Sequence, residues 1–555
     1  MDKIWLKSYP PGVPAEIDIG EFRSLNEIAG DSYRKFAAGA AYVQMGRTLS
    51  YAQLATESRS FAAWLQKAAA VKKGDRLAIM LPNLLQYPVV MLGALRAGLA
   101  VVNTNPLYTP PELEHQLQDS GAEVIVVLEN FAHVLQKVIA RTKVRVVIVT
   151  TVGEMLPPPK SWLVNYVIRH IRKQVPPWQI AGAHRLDTVL AAGKRMSFAE
   201  VVVGPDDLAF LQYTGGTTGV AKAAMLTHGN IVANVLQARA WVGPVFAGKP
   251  ATLITALPLY HIFALTANCF LFVALGWRNI LIVNPRDLPA LIKEMEKYPF
   301  TFFSGVNTLF NALLNAPGFA GIDFTQLKVT LGGGMAVQPS VAERWQTVTG
   351  NVITQAWGLT ETSPAGCINR VDEPFNGSVG LPIPSTEISI KDDGGSDLPT
   401  NQVSEICIRG PQVMRGYWNR PDETAKVMLP GGWLRTGDIG RMNENGLVYI
   451  EDRKKDMILV SGFNVYPNEV EAVAAAHPDV LEVAAIAMPD EHSGEVVALF
   501  VVAKDPKLTE TALIEYCRQS LTGYKVPKHV YFKKELPKSN VGKVLRRALR
   551  EQICR

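Results

Sequence analysis

Along the first two hundred residues, continuous apolar runs alternate with amphipathic stretches. The runs at 76–81, 100–103 and 123–128 read as buried strands, and the segments 86–98 and 112–120 between them read as helices. Strands alternating with helices predict parallel sheets of the α/β class. The alternation resumes with strands expected near 252–257, 300–304 and 328–331. From about Gly380 the texture changes. Short runs at 388–390, 405–409 and 446–450 predict a β-rich subdomain. The charged junction Arg453-Lys454-Lys455-Asp456 then precedes about a hundred residues with an alternation of their own. Helices are expected there at 468–476 and 510–520, and strands at 480–487 and 496–502. That is enough chain for a small independent domain.

Composition narrows the class. At 555 residues, 48% hydrophobic and 19% charged, the chain is a folded protein too long for one ordinary core. A net charge of +6, with no long basic run, gives no ground for nucleic acid as a partner. Cys269, Cys367, Cys407, Cys517 and Cys554 are scattered, odd in number and without metal spacing, which points to reduced thiols in a cytosolic protein. The N-terminus lacks the apolar stretch of a signal peptide. The most apolar segment, 262–277, is too short for a bilayer span, contains Thr266 and Asn268, and reads as a buried helix. Segment 162–173 follows three prolines and pairs apolar with basic residues at helical spacing. It fits either an interfacial helix on an anionic membrane or an ordinary surface helix.

Candidate chemistry begins at YTGGTTGVAK, residues 213–222, directly after the apolar run 208–212. Gly215, Gly216 and Gly219 permit a tight loop with close backbone approach. Thr214, Thr217, Thr218 and Lys222 supply hydroxyls and an ammonium, with no acidic residue among them. Such a loop suits a polyanion. It is not a Walker A loop, because Val220 stands where the second glycine should be.

Five further segments follow in order: PLYHIF at 258–263, QAWGLTE at 355–361, GWLRTGD at 432–438, DRKKDMILVSG at 452–462 and PKSNVGK at 537–543. Together the six resemble the adenylate-forming superfamily of acyl-CoA synthetases, luciferases and peptide-synthetase adenylation domains. The strings LLQYP (84–88), NPLYT (105–109) and GFNVYP (462–467) resemble bacterial long-chain fatty-acid–CoA ligases in particular. The resemblance covers nearly the whole chain. It implies a large N-terminal adenylation domain (1–452) of α/β-layered subdomains plus a β-rich one, and a small mobile α+β C-terminal domain (453–555). It implies ATP-dependent conversion of a fatty acid to acyl-CoA through an acyl-adenylate, with ATP, Mg²⁺ and coenzyme A as cofactor and co-substrates.

The resemblance also assigns residues. The loop from Tyr213 to Lys222 is expected to wrap the β- and γ-phosphates. Glu361, with Thr217, is expected to hold magnesium, and Thr360, beside Gly358, to contact phosphate. Asp438 and Arg453 match the ribose partners. Trp357 stands where tyrosine is usual; an indole can still stack on adenine. Ala223 stands where glycine often follows the loop lysine. Lys543 matches the catalytic lysine that bridges the attacking carboxylate and the α-phosphate. Lys455 occupies the hinge position, and Gly462 lies in the segment expected to approach the thiol after domain rotation. His261 reads as a gate or orienting residue rather than a base.

Segments 262–273 and 302–314 are apolar and without acidic or basic side chains, so a long alkyl chain could thread between them. Each buried methylene contributes about 0.8 kcal/mol. Gly305 and Gly332-Gly333-Gly334 either leave room for that chain or make turns. The expected partners are fatty acid, ATP and coenzyme A, without nucleic acid. The expected location is cytoplasmic, with peripheral contact on the inner membrane face; a homodimer is left open. Two readings compete: adenylation of a medium-chain or aryl acid or transfer to another acceptor, and a non-catalytic lipid-binding protein. The presence of Thr217, Glu361, Asp438 and Lys543 together argues against the second.

Overall fold

The computed structural model describes residues 3–214, 221–371, 373–539 and 542–553. The first sheet runs in the order His184–Arg185, Val146–Thr150, Val124–Leu128, Arg76–Met80, Ala100–Asn103, Leu208–Thr214, Lys222–Thr227. All neighbours are parallel except the last pair. Its central strands are apolar without alternation because both faces are covered; Val124–Leu128 is buried throughout. Crossover helices Gln86–Arg96 and Pro110–Ser120, as the alternation predicts, together with Glu129–Val138 supply that cover.

A second sheet of nine strands packs on the same core. Thr252–Thr255, Phe302–Gly305, Val329–Gly333 and Ile353–Gly358 are its parallel centre. Its far edge is the hairpin Ala40–Gln44 and Arg47–Ser50, joined in parallel to Arg278–Leu281. No local pattern marks this pairing, which spans more than two hundred residues.

The α/β class therefore holds, with one local difference. The chain after residues 215–220 returns as an antiparallel strand, Lys222–Thr227, before helix His228–Val242 begins at a Thr227–Asn230 capping box. Ala223 is thus in extended backbone, buried, with its carbonyl accepting from Trp418 N at 2.9 Å.

The β-rich region is a separate antiparallel sheet of Glu387–Lys391, Ser404–Arg409, Met428–Leu429, Trp433–Met442 and Val448–Arg453. The chain then leaves it, and from Ile458 builds a fourth sheet with helices Pro467–Ala475, Glu510–Arg518 and Arg546–Ile553. This part has its own core around Val470, Leu499 and Leu513. It touches the larger part through Asn311 Nδ2, which donates to Leu481 O at 2.8 Å, and Thr308 Oγ1, which donates to Gly542 O at 3.0 Å.

Segment 262–277 is helical and almost entirely buried, as expected. Among the described residues no helix is long and apolar enough to cross a membrane. The four described cysteines are buried and unpaired; Cys554 lies outside the described residues.

Candidate active site

The carboxyl ends of Leu208–Thr214, Val329–Gly333 and Ile353–Gly358 open on one cavity of about 1240 Å³. This is the edge at which parallel α/β sheets present ligand sites. Lys222, His261, Trp357, Gly358, Thr360, Glu361, Arg453, Lys455 and Lys543 all line it, with Tyr213 and Thr214. The loop positions Gly215, Gly216, Thr217, Thr218 and Gly219 lie outside the described residues.

At one end Asp438, 3% exposed, is held on both oxygens. The Trp357 indole N–H donates to Oδ2 at 2.8 Å and Arg453 Nε lies 2.6 Å from Oδ1. Strand pairing sets Arg453 opposite Asp438. Gly358 is required by packing, since a Cβ there would lie 1.7 Å from Pro364 O.

At the phosphate end the Tyr417 hydroxyl donates to Glu361 Oε1 at 2.7 Å. The same tyrosine ring lies 5.4 Å from the Lys222 ammonium, which is paired with Glu423. The Tyr213 hydroxyl is turned away, donating to Asp119 Oδ2 at 2.7 Å. Among the described residues no group of three or more His, Cys, Asp or Glu could cage a metal. Glu361 is one of the carboxylates that line the cavity, and a lone carboxylate ligand suits Mg²⁺, which keeps waters and bridges to substrate phosphates.

Lys543 enters from the C-terminal part on a turn in which Ser539 N donates to Lys543 O at 2.7 Å. Its side chain lies against Gly334, where a Cβ would come within 3.5 Å of the lysine Cε. Burial and the Arg453 charge lower its pKa to about 8, against the opposing pull of Asp438 and Glu361. His261 is held neutral. Burial, aided by the Lys543 charge, lowers its pKa to about 3, and its Nδ1 accepts from Phe263 N at 3.4 Å. A neutral imidazole with that pKa is a weak base, which agrees with an orienting part.

Beyond His261 the cavity is walled by Ile262, Phe263, Ala267 and Leu271, as expected of segment 262–273. Segment 302–314 contributes only Phe302; Phe303, Phe310 and Leu313 turn into a second core. Helix His228–Val242 supplies the missing wall with Ala238 and Val242. Of the glycines at 305 and 332–334, Gly333 and Gly334 line the cavity, whereas Gly305 and Gly332 do not. A Cβ at Gly305 would meet the Phe310 ring at 2.8 Å, and one at Gly332 would meet Ile353 at 2.7 Å. Gly305 and Gly332 are needed for packing.

Gly462 is not brought to the cavity. It forms, with Ser461, a two-residue turn at positive φ between Ile458–Val460 and Phe463–Val465. Tyr417 and Glu423 were not marked by any motif, and only the tertiary pairing of residues 415–418 with Lys222–Thr227 brings them in.

Residues 31–418 match the AMP-binding enzyme family, and residues 469–543 match the AMP-binding enzyme C-terminal domain. The chain is 54% identical over 553 residues to a long-chain-fatty-acid–CoA ligase of Escherichia coli O6:H1, covering 100% of this chain and 98% of that one. It is 51% identical over 558 residues to the enzyme of that name from Haemophilus influenzae, covering 100% and 99%. Among solved structures, the anthranilate CoA ligase AuaEII with anthranoyl-AMP superposes with a TM-score of 0.86 at 22% identity, covering 97% of this chain and 99% of that one. ATP-bound MatB of Rhodopseudomonas palustris gives 0.79 at 27% identity, covering 95% and 99%.

Proposed function

The chain belongs to the AMP-binding enzyme family, and from that premise we infer that it activates long-chain fatty acids to acyl-CoA with ATP, Mg²⁺ and coenzyme A. The reading with another acid or acceptor is not favoured, since full-length relatives at 51–54% identity are long-chain enzymes. The observation that carries the catalytic reading is the convergence of Lys543, Glu361, Trp357 and Arg453 on one apolar-ended cavity.

In the first step a fatty-acid carboxylate oxygen attacks the α-phosphorus of ATP. The bond to the β-phosphate bridging oxygen breaks, and pyrophosphate leaves. Both reactants are anions, so catalysis lies in holding them together and neutralising charge in the transition state. Lys543 is assigned the bridge between carboxylate and α-phosphate. Asp438 and Arg453 are assigned the ribose, Trp357 the adenine face, and Lys222 with the loop before it the outer phosphates. Glu361 and Thr217 would hold Mg²⁺, which supplies charge neutralisation on the phosphates. His261 would orient the carboxylate at the mouth of the acyl channel.

In the second step the coenzyme A thiol loses its proton, its sulfur attacks the acyl carbonyl, and AMP departs. With Lys543 assigned to the first step it would stand between the thiol and that carbonyl, so we assign a rotation of residues 453–555 about Lys455 relative to residues 1–452. This rotation would carry Gly462 toward the thiol. The open space around Gly462 supports it. AMP release across fatty acids of graded length, with and without coenzyme A, tests the whole scheme. Coenzyme-dependent turnover favouring long chains is expected; adenylate accumulating without thioester would overturn it.

For the membrane contact, the supporting surface is segment 162–173. Trp162, Leu163, Tyr166 and Ile171 are 58–69% exposed, beside exposed Arg172 and Lys173, and an anionic bilayer complements that set. Arg169 does not belong to it, because its guanidinium pairs with buried Glu129 and anchors the segment. Flotation with anionic and zwitterionic vesicles, comparing wild type with W162A/L163A and R172E/K173E, tests it. Equal binding in all three proteins removes this surface.

A further inference from the structure

The Lys222 ammonium already has an anion. Glu423, in the first turn of Pro421–Val427, takes it through Oε2, while Oε1 accepts from Lys426 at 2.5 Å. All three residues line the cavity, with Tyr417 and Glu361 beside them. The pair is brought together by main-chain bonds: Trp418 N to Ala223 O, and Met225 N to Gly416 O, both 2.9 Å. Its side chains are 35% and 28% exposed, so a ligand can reach them. An ion pair that accessible adds little to stability. Folding therefore gives weak reason to place a carboxylate on a phosphate-site lysine.

We propose that Glu423 is a resident counter-anion for Lys222. It holds the ammonium at the cavity wall before nucleotide binds, yields it to the outer phosphates of ATP, and takes it back as pyrophosphate leaves. The proposal rests on the assignment of Lys222 to phosphate. Two anions compete for one cation, so phosphate affinity is scaled down in proportion to the fraction of Lys222 that is free. An enzyme that must release pyrophosphate in every cycle gains turnover from that competition. Glu423 acts through Lys222 and is a positioning residue. No covalent step is added.

Magnesium pyrophosphate is the probe, titrated calorimetrically into the full-length protein without fatty acid or coenzyme A. Wild type, E423Q, E423A, K222A and E423Q/K222A are compared, with thermal midpoints recorded for each. We expect E423Q and E423A to bind pyrophosphate at least threefold more tightly. The gain should vanish in E423Q/K222A, and the inhibition constant of pyrophosphate in turnover should fall in parallel. Unchanged or weaker binding in both Glu423 variants at wild-type midpoints overturns the proposal. Wild-type affinity in K222A overturns the assignment of Lys222 itself and the proposal with it. The titration uses no acid, so a failure of the acyl-CoA reading would appear only in the AMP-release assay.

Discussion

The indole N–H of Trp357 donates to Asp438 Oδ2 at 2.8 Å, while Arg453 holds the other oxygen at 2.6 Å. A tryptophan at a position where tyrosine is usual is therefore more than a flat surface for a base. It fixes the carboxylate assigned to the ribose before any nucleotide arrives. Preorganisation of this kind lowers the ordering cost of binding.

Phenylalanine at 357 keeps a ring face and removes the N–H. Leaving one oxygen of a buried carboxylate without its donor costs about 1–3 kcal/mol. We expect W357F to raise the KM for ATP roughly tenfold, with the KM for fatty acid nearly unchanged. Wild-type ATP affinity in W357F would show the bond to be inert.

For Lys543→Ala we expect a loss of about 3–4 kcal/mol of transition-state stabilisation in adenylate formation, as for a removed charge-stabilising donor. Thioester formation from added acyl-adenylate should change far less, because the lysine is assigned to the first step alone. Half-reaction kinetics separate the two. Equal losses in both steps count against the assignment.

The lowered pKa of Lys543, about 8, sets a pH dependence. The protonated form is the one that bridges two anions, so kcat/KM for adenylation should hold below pH 8 and fall about tenfold per unit above it. His261, with a pKa near 3, adds no limb between pH 5 and 8. In Lys543→Arg the charge persists and the alkaline fall should disappear, whatever the height of the plateau. For stability the sign is the reverse of a paired cation. Between the folded value and the higher unfolded one, the unfolded chain binds more protons, so the native state gains as pH rises through that window. An alkaline limb unchanged in Lys543→Arg would assign the titration elsewhere.

Lys455 is exposed, within the turn closed by Asp456 N donating to Arg453 O at 2.9 Å. A hinge is a residue that absorbs a large change in φ or ψ, and proline fixes φ. We expect Lys455→Pro to retain adenylate formation and to lose thioester formation by at least tenfold. Normal overall turnover in this variant would leave the rotation without its hinge.

What the sequence made legible follows from how local each signal is. An unbroken apolar run marks Val124–Leu128 and helical period marks Pro110–Ser120, because each signal lies within one element. Ordered motifs mark Glu361, Lys222 and Lys543, which the fold brings to one cavity. The hairpin at 40–50, the acyl wall at Ala238 and Val242, and the pairs Tyr417–Glu361 and Glu423–Lys222 depend on contacts between distant segments. Helix His228–Val242 is buried nearly all round, so no periodicity distinguishes its cavity face from its core face. Segment 302–314 misleads for the same reason: a uniformly apolar run does not say which core it enters.

Arg546 and Arg547 show the limit most sharply, since they are adjacent and identical in the sequence. Arg547 is more than half exposed and pairs with Glu551 one turn on at 2.9 Å, an arrangement worth about 0.3–0.5 kcal/mol. Arg546 turns inward. It meets Glu471 at 2.8 Å, Asn468 Oδ1 at 3.0 Å, and Asp452 at 3.3 Å beside the junction between the third and fourth sheets. Asp452 is 1% exposed in its side chain, and burial raises the pKa of both carboxylates against the pull of Arg546. Removing the arginine strands two buried carboxylates, and breaking a buried pair costs about 3–5 kcal/mol. We therefore expect Arg546→Ala to lower the denaturation midpoint of the C-terminal part strongly and Arg547→Ala to leave it nearly unchanged. Adjacent substitutions of equal charge change make the comparison independent of net charge. Equal midpoints in the two variants would mean that water replaces the arginine at the junction, and that apolar packing around Leu549 and the Arg550–Asp456 pair at 2.6 Å suffice to hold the last helix.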